Sequence, residues 1–345
     1  MEYTQSQWIL FFFLYCFLGW IWESCYVSAH KKEWINRGFL HGPVLPIYGF
    51  GAIIVLWLTL PVRNNLFLVF LLGLTGADIL EYTTGTVMEK LFHMRYWDYS
   101  NQPFNLNGHI CLFCTIGWGV FSVALIKYLH PPIEKLVLQI PAFIADPVSV
   151  ACVAGFAADV TKSVQSALDV RELLEKMGEN NERMASLEAK LDGAAASLSR
   201  SSEEFKSNIK AIEESIVENR IVLHLKKEVY KASRQKFLED KLQEYRDRKS
   251  RFLTLLNEKA NAAVKEVREQ MELETVEGEK LRLEKLLSEV EEFRDRLKKT
   301  EMDIASWKNR EYKKAVSIIR RNPSAVSRHF KAAFEEIKEL GQTKK

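Results

Sequence analysis

Long apolar stretches fill the first 160 residues, and a polar sequence with helical periodicity follows them. A helix rising 1.5 Å per residue needs about 20 apolar residues to cross a hydrocarbon core of about 30 Å. The pattern predicts five membrane spans, near residues 8–28, 47–60, 66–88, 110–129 and 141–160. The fourth is expected to end at Pro131 and Pro132, because proline interrupts helices.

Beyond residue 162, apolar residues recur at spacings of three and four among Glu, Lys and Arg, as at Leu283, Leu287, Val290, Phe293 and Leu297. This spacing is typical of long amphipathic helices that associate. Breaks are expected near Gly178, Gly193 and Gly278. The fold class is therefore all-α: a polytopic membrane helix bundle at residues 1–164, then a cytoplasmic helical domain at 165–345. Its helices form either a coiled coil or a helical hairpin.

Charge separates the two regions. Residues 1–159 hold 8 of the 48 Lys and Arg and 10 of the 45 Asp and Glu, so most charges lie in the polar region. The net charge of +3 is too small to argue for nucleic acid. All five cysteines lie in the apolar region, where Cys111 and Cys114 form a single CxxC that predicts helix packing rather than metal or redox chemistry.

Loop charge predicts the orientation. With the N-terminus outside, the inner loops carry five basic residues and the outer loops carry three, which agrees with the positive-inside rule. The protein is then a multi-pass protein of the cell membrane with a cytoplasmic helical tail. Basic residues also become frequent from Lys308 to Arg328, where they form either a solvated face or a contact with anionic lipid.

Acidic residues inside the third span are the first candidates for function. Spacings of three, four and four place Asp78, Glu81, Gly85 and Glu89 near one helical face. A carboxylate at membrane depth costs about 2.5–3.5 kcal/mol on insertion scales, so such residues face protein or water. Glu23, between tryptophans of the first span, follows the same argument. Together they predict a polar interior that binds a substrate or an ion.

Two loops add candidates. Glycines and prolines between Asn36 and Tyr48 make an uninterrupted helix unfavourable, so this stretch is either a re-entrant segment or an ordinary turn. The loop from residue 93 to 109 is aromatic and rich in Asn. Within it, Arg95 is placed to pair with Asp98 or to reach back to Glu89, which lowers the cost of either acid.

Several chemistries have no motif in the chain. There is no GxxxxGK[ST] phosphate loop, so the chain does not carry an ATPase of that type. The spacing of His93, Asp98 and His109 fits no standard metal site. We therefore predict no cofactor, no metal and no catalytic residue.

Four motifs resemble a known family: GWIWE, NRGFLHGPVLPIYGFG, EYTTGTVMEKLFHMRYWDYS and FNLNGHIC, in family order between residues 15 and 174. They resemble the bacterial family described as putative ABC-transporter type IV, the CmpB-like permeases. The resemblance implies a multi-pass permease that needs a separate ATPase. The resemblance also implies that residues at the matched motif positions line a polar site. These residues are Glu23, Asn36, Arg37, Gly38, Gly42, Pro43, Pro46, Tyr48, Gly49, Glu81, Glu89, Trp97, Asp98, Asn105, Asn107 and Gly108. We add Arg95 to this site because of its expected ion pairs.

Three functional classes remain open. The first is a permease-like transport subunit, embedded in the lipid bilayer, with a polar site and a partner ATPase. The second is a membrane-anchored scaffold or sensor whose cytoplasmic coiled coil recruits partners or forms a homo-oligomer. The third is an intramembrane lipid-modifying enzyme that uses Glu81 or Asp98 as a base.

Overall fold

The computed structural model describes residues 3–197, 207–215, 234–306 and 309–341, and nearly all of them are helical. The helices are α1 (Gln5–Lys31), α2 (Pro46–Thr59), α3 (Leu66–Phe92), α4 (Leu112–Ala124), α5 (His130–Leu138), α6 (Ala142–Ser197), α7 (Arg234–Leu273), α8 (Glu277–Ser306), α9 (Asn309–Arg321) and α10 (Lys331–Gly341). Residues 207–215 are also helical. The predicted all-α class is confirmed.

Short elements join these helices. A 3-10 turn at Leu60–Val62 extends α2, and a π-helical turn at Leu125–Leu129 connects α4 to α5. The two-residue strands β1 (Asn105–Leu106) and β2 (Ile110–Cys111) pair antiparallel between α3 and α4.

Among the residues that the structure describes, four helices are long and apolar enough to span a membrane: Gln5–Lys31, Leu66–Phe92, Leu112–Leu138 and Ala142–Lys190. They correspond to the first, third, fourth and fifth predicted spans. The second predicted span is the shorter apolar helix Pro46–Val62.

One predicted helix end and two predicted breaks were wrong. The fourth span continues past Pro131 and Pro132 because both prolines lie in the first turn of α5, where a helix does not need their N–H groups. Likewise α6 runs through Gly178 and Gly193, since an interior glycine costs a helix only about 1 kcal/mol. The break near Gly278 is confirmed, because α7 ends at Leu273 and α8 begins at Glu277.

The chain forms two compact units. Unit 1 comprises Met1–Glu172 and Lys314–Lys345, and unit 2 comprises Leu173–Lys313. Unit 1 thus contains the apolar helices together with the C-terminal residues. Its core is built by α1, α2, α3 and the π-helical turn, with Phe11, Leu56, Val69 and Leu125 almost fully buried. The boundary predicted near residue 164 between membrane and cytoplasm stays a prediction.

Within unit 2, α7 and α8 are joined by residues 274–276 and pack against each other. They bury apolar side chains at the predicted spacing, among them Val290, Phe293 and Leu297. This pair corresponds to the helical-hairpin alternative. Lys259, only 2% exposed, bonds to Asp192 and Glu213, so its buried charge is paired.

The two junctions with unit 2 are adjacent within unit 1. Lys314 Nζ lies 2.6 Å from Asp169 Oδ2, so the exit and the return of the chain are joined by an ion pair. We predict that a Gly/Ser linker of about ten residues in place of residues 173–313 leaves unit 1 folded, because such a linker spans about 18 Å. Size-exclusion chromatography and thermal unfolding in detergent check this. Aggregation of the shortened chain, beside a monodisperse full chain, would contradict it.

Candidate functional site

The acids of α3, whose spacing predicted one shared helical face, contact α4 and the loop after α3. Glu81 is the most buried, with 5% of its surface exposed. Its Oε2 accepts a hydrogen bond from Trp118 Nε1 at 2.7 Å, and its Oε1 accepts one from the Tyr99 hydroxyl at 3.1 Å. Both donors are neutral. Within the described part of the chain no cationic side chain pairs with Glu81, so its ionised form has hydrogen bonds but no counter-charge.

One turn before Glu81, Asp78 Oδ2 accepts from the Thr115 hydroxyl of α4 at 2.7 Å. One turn after it, Gly85 allows close packing with the loop, because a Cβ there would lie 2.8 Å from His109 Nδ1. The predicted acidic face of α3 is therefore packed against α4 and the loop rather than exposed to lipid.

Arg95 makes both of the ion pairs that its position suggested. Its Nε lies 2.7 Å from Glu89 Oε1, and its Nη1 lies 3.2 Å from Asp98 Oδ1. His109 Nε2 lies 3.2 Å from the other oxygen of Glu89. Burial opposes the charge of Asp98, but hydrogen bonds from Ser100 and the nearby arginines prevail and lower its pKa. Burial, and next the charge of Arg95, lower the pKa of His109, although Glu89 beside it acts in the opposite direction.

The remaining predicted loop residues hold the loop together. Trp97 Nε1 donates to the His109 carbonyl at 3.0 Å. Asn105 bonds to the Gln102 carbonyl and accepts from the Gly108 amide, with φ +76° at Gly108. Asn107 donates to the Tyr82 hydroxyl at 3.1 Å, and its carbonyl accepts from Arg95 at 2.7 Å. These contacts fix Arg95 and Asp98 in place.

Residues 33–45, here called the re-entrant segment, fold back along α1. The loop predicted from Asn36 to Tyr48 was too long at its end, because Pro46 already begins α2. The amide of Ile35 bonds to Ser28 Oγ at 2.9 Å, and further on the amide of Leu45 bonds to the Cys16 carbonyl at 3.0 Å. Cys16 lies about 22 Å before Lys31, the end of α1. This geometry favours the re-entrant alternative over an ordinary turn. It also explains why α2 is short, because Pro46 begins that helix halfway along α1.

Glu23 joins the re-entrant segment to α2. It accepts from the Tyr48 hydroxyl at 2.7 Å and lies 3.6 Å from Arg37 Nε. Asn36 accepts from Trp20 Nε1 at 2.6 Å and donates to the His41 carbonyl at 2.8 Å. Pro43 lies within the segment, and Gly49 packs against Cys16.

An aromatic pair, Tyr48 and Trp118, lies between Glu23 and Glu81. The ring centroid of Tyr48 is 6.1 Å from that of Trp118. Tyr48 bonds to Glu23, and Trp118 bonds to Glu81. Glu23 and Glu81 therefore share one interior region, while Glu89 and Asp98 form a separate cluster around Arg95.

Asp159 of α6 was not among the predicted site residues, although it anchors the re-entrant segment. Its Oδ1 accepts from the His41 amide at 3.1 Å, and its Oδ2 accepts from the Gly42 amide at 2.8 Å. The His41 ring lies 2.8 Å from Ser163 Oγ, and burial lowers its pKa. An acid at the end of an apolar stretch was the only sequence signal for this contact.

This arrangement of loops, acids and apolar helices can be compared with known proteins. Residues 10–164 match the family described as "Putative ABC-transporter type IV". The predicted resemblance is confirmed for this stretch, the family region. Together with the four long apolar helices, the match indicates a membrane protein related to transport. No curated protein and no solved structure matches the chain.

The family region ends at residue 164, so it includes Asp159. We predict that Asp159→Ala lowers stability by about 2–3 kcal/mol, because two backbone amides lose a charged acceptor. Thermal unfolding in detergent should show a fall in Tm of about 5 °C or more. Asp146→Ala is the matched control, since exposed Asp146 of the same helix accepts only from Ser6. Equal effects of the two variants would contradict the anchoring role.

Proposed function

We propose that this chain is the membrane-embedded subunit of a transport system, and that its polar interior around Glu81 binds a cation or a cationic group of the substrate. The observation that carries the proposal is the burial of Glu81 with two neutral donors and no counter-charge within the described residues. An ionised carboxylate in such a setting is costly. A bound proton or metal cation would supply the missing charge.

The backbone around the interior supports the same proposal. Transporters place their binding sites where helices are interrupted, because irregular backbone and helix ends supply polar groups at membrane depth. Here the re-entrant segment precedes α2, and Glu23 and Tyr48 lie at that interruption. The predicted site residues around the re-entrant segment and Glu81 are Glu23, Asn36, Arg37, Gly42, Tyr48 and Glu81. The cluster of Glu89 and Asp98 around Arg95 is a second group of polar side chains.

The energy source would be a separate subunit. The chain has no phosphate-binding loop, so ATP hydrolysis would come from a partner ATPase at the cytoplasmic side. The charge bias of the loops supports this arrangement, because it favours the cytoplasmic side for residues 33–45, residues 93–109 and the helical tail.

Trp118 provides a direct probe, because its indole N–H bonds to Glu81. Titration of H⁺, Na⁺ or K⁺ into the full chain in nanodiscs should change a fluorescence signal that Trp118→Phe removes. Glu81→Gln should weaken the apparent cation affinity about tenfold or more, which corresponds to 1.4 kcal/mol. Asp146→Asn should leave it unchanged.

An unaltered titration in Glu81→Gln would overturn the cation site. The transport role has its own test, which is purification of the tagged full chain from native membranes. An ATPase should accompany it, and reconstituted complexes should move solute only when ATP is hydrolysed. A complex without any ATPase would contradict that role even if the cation site were real.

A second candidate is a scaffold that assembles through unit 2. The turn between α7 and α8 exposes apolar side chains, with Leu273 83%, Val276 58% and Leu281 68% exposed. Exposed apolar clusters of this kind favour association. If this turn assembles copies of the chain, Leu273→Glu with Leu281→Glu should lower the mass measured by light scattering in detergent. Lys280→Glu, an exposed charge change beside them, is the control. An unchanged mass would count against assembly at this turn.

A further inference from the structure

The part of the chain after residue 313 contacts both loops of the family region. We call residues 314–341 the C-terminal segment, and residues 33–41 and 93–100 together the loop face. All of them belong to unit 1. The central contact is a backbone pair: the Arg95 amide donates to the Val326 carbonyl at 2.8 Å, and the Val326 amide donates to the Arg95 carbonyl at 3.0 Å. Val326 is thus joined to Arg95 by a single antiparallel bridge.

Asn322 provides specific side-chain recognition. It is 2% exposed, and its Oδ1 accepts from Arg37 Nη1 at 2.9 Å. Its amide nitrogen donates to the Gly38 carbonyl at 3.3 Å and to the Ile318 carbonyl at 3.0 Å. The φ of +124° at Gly38 favours glycine, so the conformation that presents this carbonyl depends on a residue of the predicted site. Only a side chain that both donates and accepts satisfies this position.

Two serines of the C-terminal segment donate hydrogen bonds to backbone carbonyls of the loop face. Ser324 Oγ donates to the Tyr96 carbonyl at 3.1 Å, and Arg37 Nη2 donates to that same hydroxyl oxygen. Ser327 Oγ donates to the His93 carbonyl at 2.7 Å. Between the serines, Ala325 is fully buried, so a larger side chain would not fit without movement.

Charge adds to the contact at both ends. Arg320 lies 2.7 Å from Glu33, and Arg328 lies 3.6 Å from Asp98. Arg321 donates to the Leu40 carbonyl at 3.0 Å. These arginines belong to the basic stretch noted in the sequence, whose first residue, Lys308, lies outside the described residues. At this point the basic side chains bind protein groups of the loop face.

We propose that the loop face is a peptide-binding surface that recognises the sequence Asn-Pro-Ser-Ala-Val-Ser, folded as a turn at Pro323 and Ser324 with the bridging residue Val326 after it, and that its ligand is the chain's own C-terminal segment. Arg37, Gly38 and Asp98 lie in the family region, yet they bond to residues outside it. Any other protein that uses these groups, including an ATPase partner, must first displace the segment. The inference does not depend on transport, because binding of the segment is measured directly.

Hydrogen–deuterium exchange of the full chain in nanodiscs tests the cis contact. The Val326 amide should exchange slowly. Arg37→Ala and Asn322→Ala should each accelerate it about tenfold or more, since each removes a buried hydrogen bond. Lys331→Ala, an exposed charge removal in α10, should have no effect. Amides around Val69 in α3 report whether a variant remains folded.

A synthetic peptide of residues 316–334 tests recognition in trans. Added in excess to folded Asn322→Ala, it should slow exchange of the Arg95 amide, which a scrambled peptide should not do. If Asn322→Ala unfolds, the same peptide is added to Arg328→Ala. Fast exchange of Val326 in the unaltered chain would overturn the proposal. No protection of Arg95 by the peptide would also overturn it, since the face would then not bind a separate peptide.

Discussion

A carboxylate among apolar helices is costly unless it is hydrogen-bonded, and for three acids of this chain a different element supplies the donor. Glu81 of α3 bonds to α4 and to the loop after α3. Glu23 of α1 bonds to α2, and Asp159 of α6 bonds to the re-entrant segment. Hydrogen bonds to these carboxylates therefore connect the loops and the helices. The contacts that satisfy the buried carboxylates are therefore also the contacts that form the polar interior.

The same requirement links the family region to residues far along the chain. Arg37 and Arg95 each satisfy an acid of the membrane helices and also bond to the C-terminal segment. A change at Glu23 or Glu89 and a change in the C-terminal segment thus act on the same two arginines. In a transport protein, this arrangement would connect the occupancy of the interior with the state of the surface that faces other proteins.

Sequence predicted the features that depend on neighbours in the chain. Hydropathy located the apolar helices, and spacing placed the acids of α3 on one face. Arg95 was paired with acids six residues before it and three after it. Contacts between residues far apart in the chain could not be predicted from the sequence pattern. Asp159 and His41 are 118 positions apart, and Asn322 resembles any polar residue near a helix end until Arg37 and Gly38 are folded beside it.

The re-entrant segment also determines where the partial positive charge at the N-terminus of α2 lies. Since α2 begins at Pro46, the N-terminus of α2 lies beside the middle of α1 rather than beside its end. The aligned peptide dipoles of a helix place roughly half a positive charge at its N-terminus. Tyr48, in the first turn, holds Glu23 near it. This partial charge stays the same when a carboxyl group of the interior takes up a proton, because it belongs to the backbone.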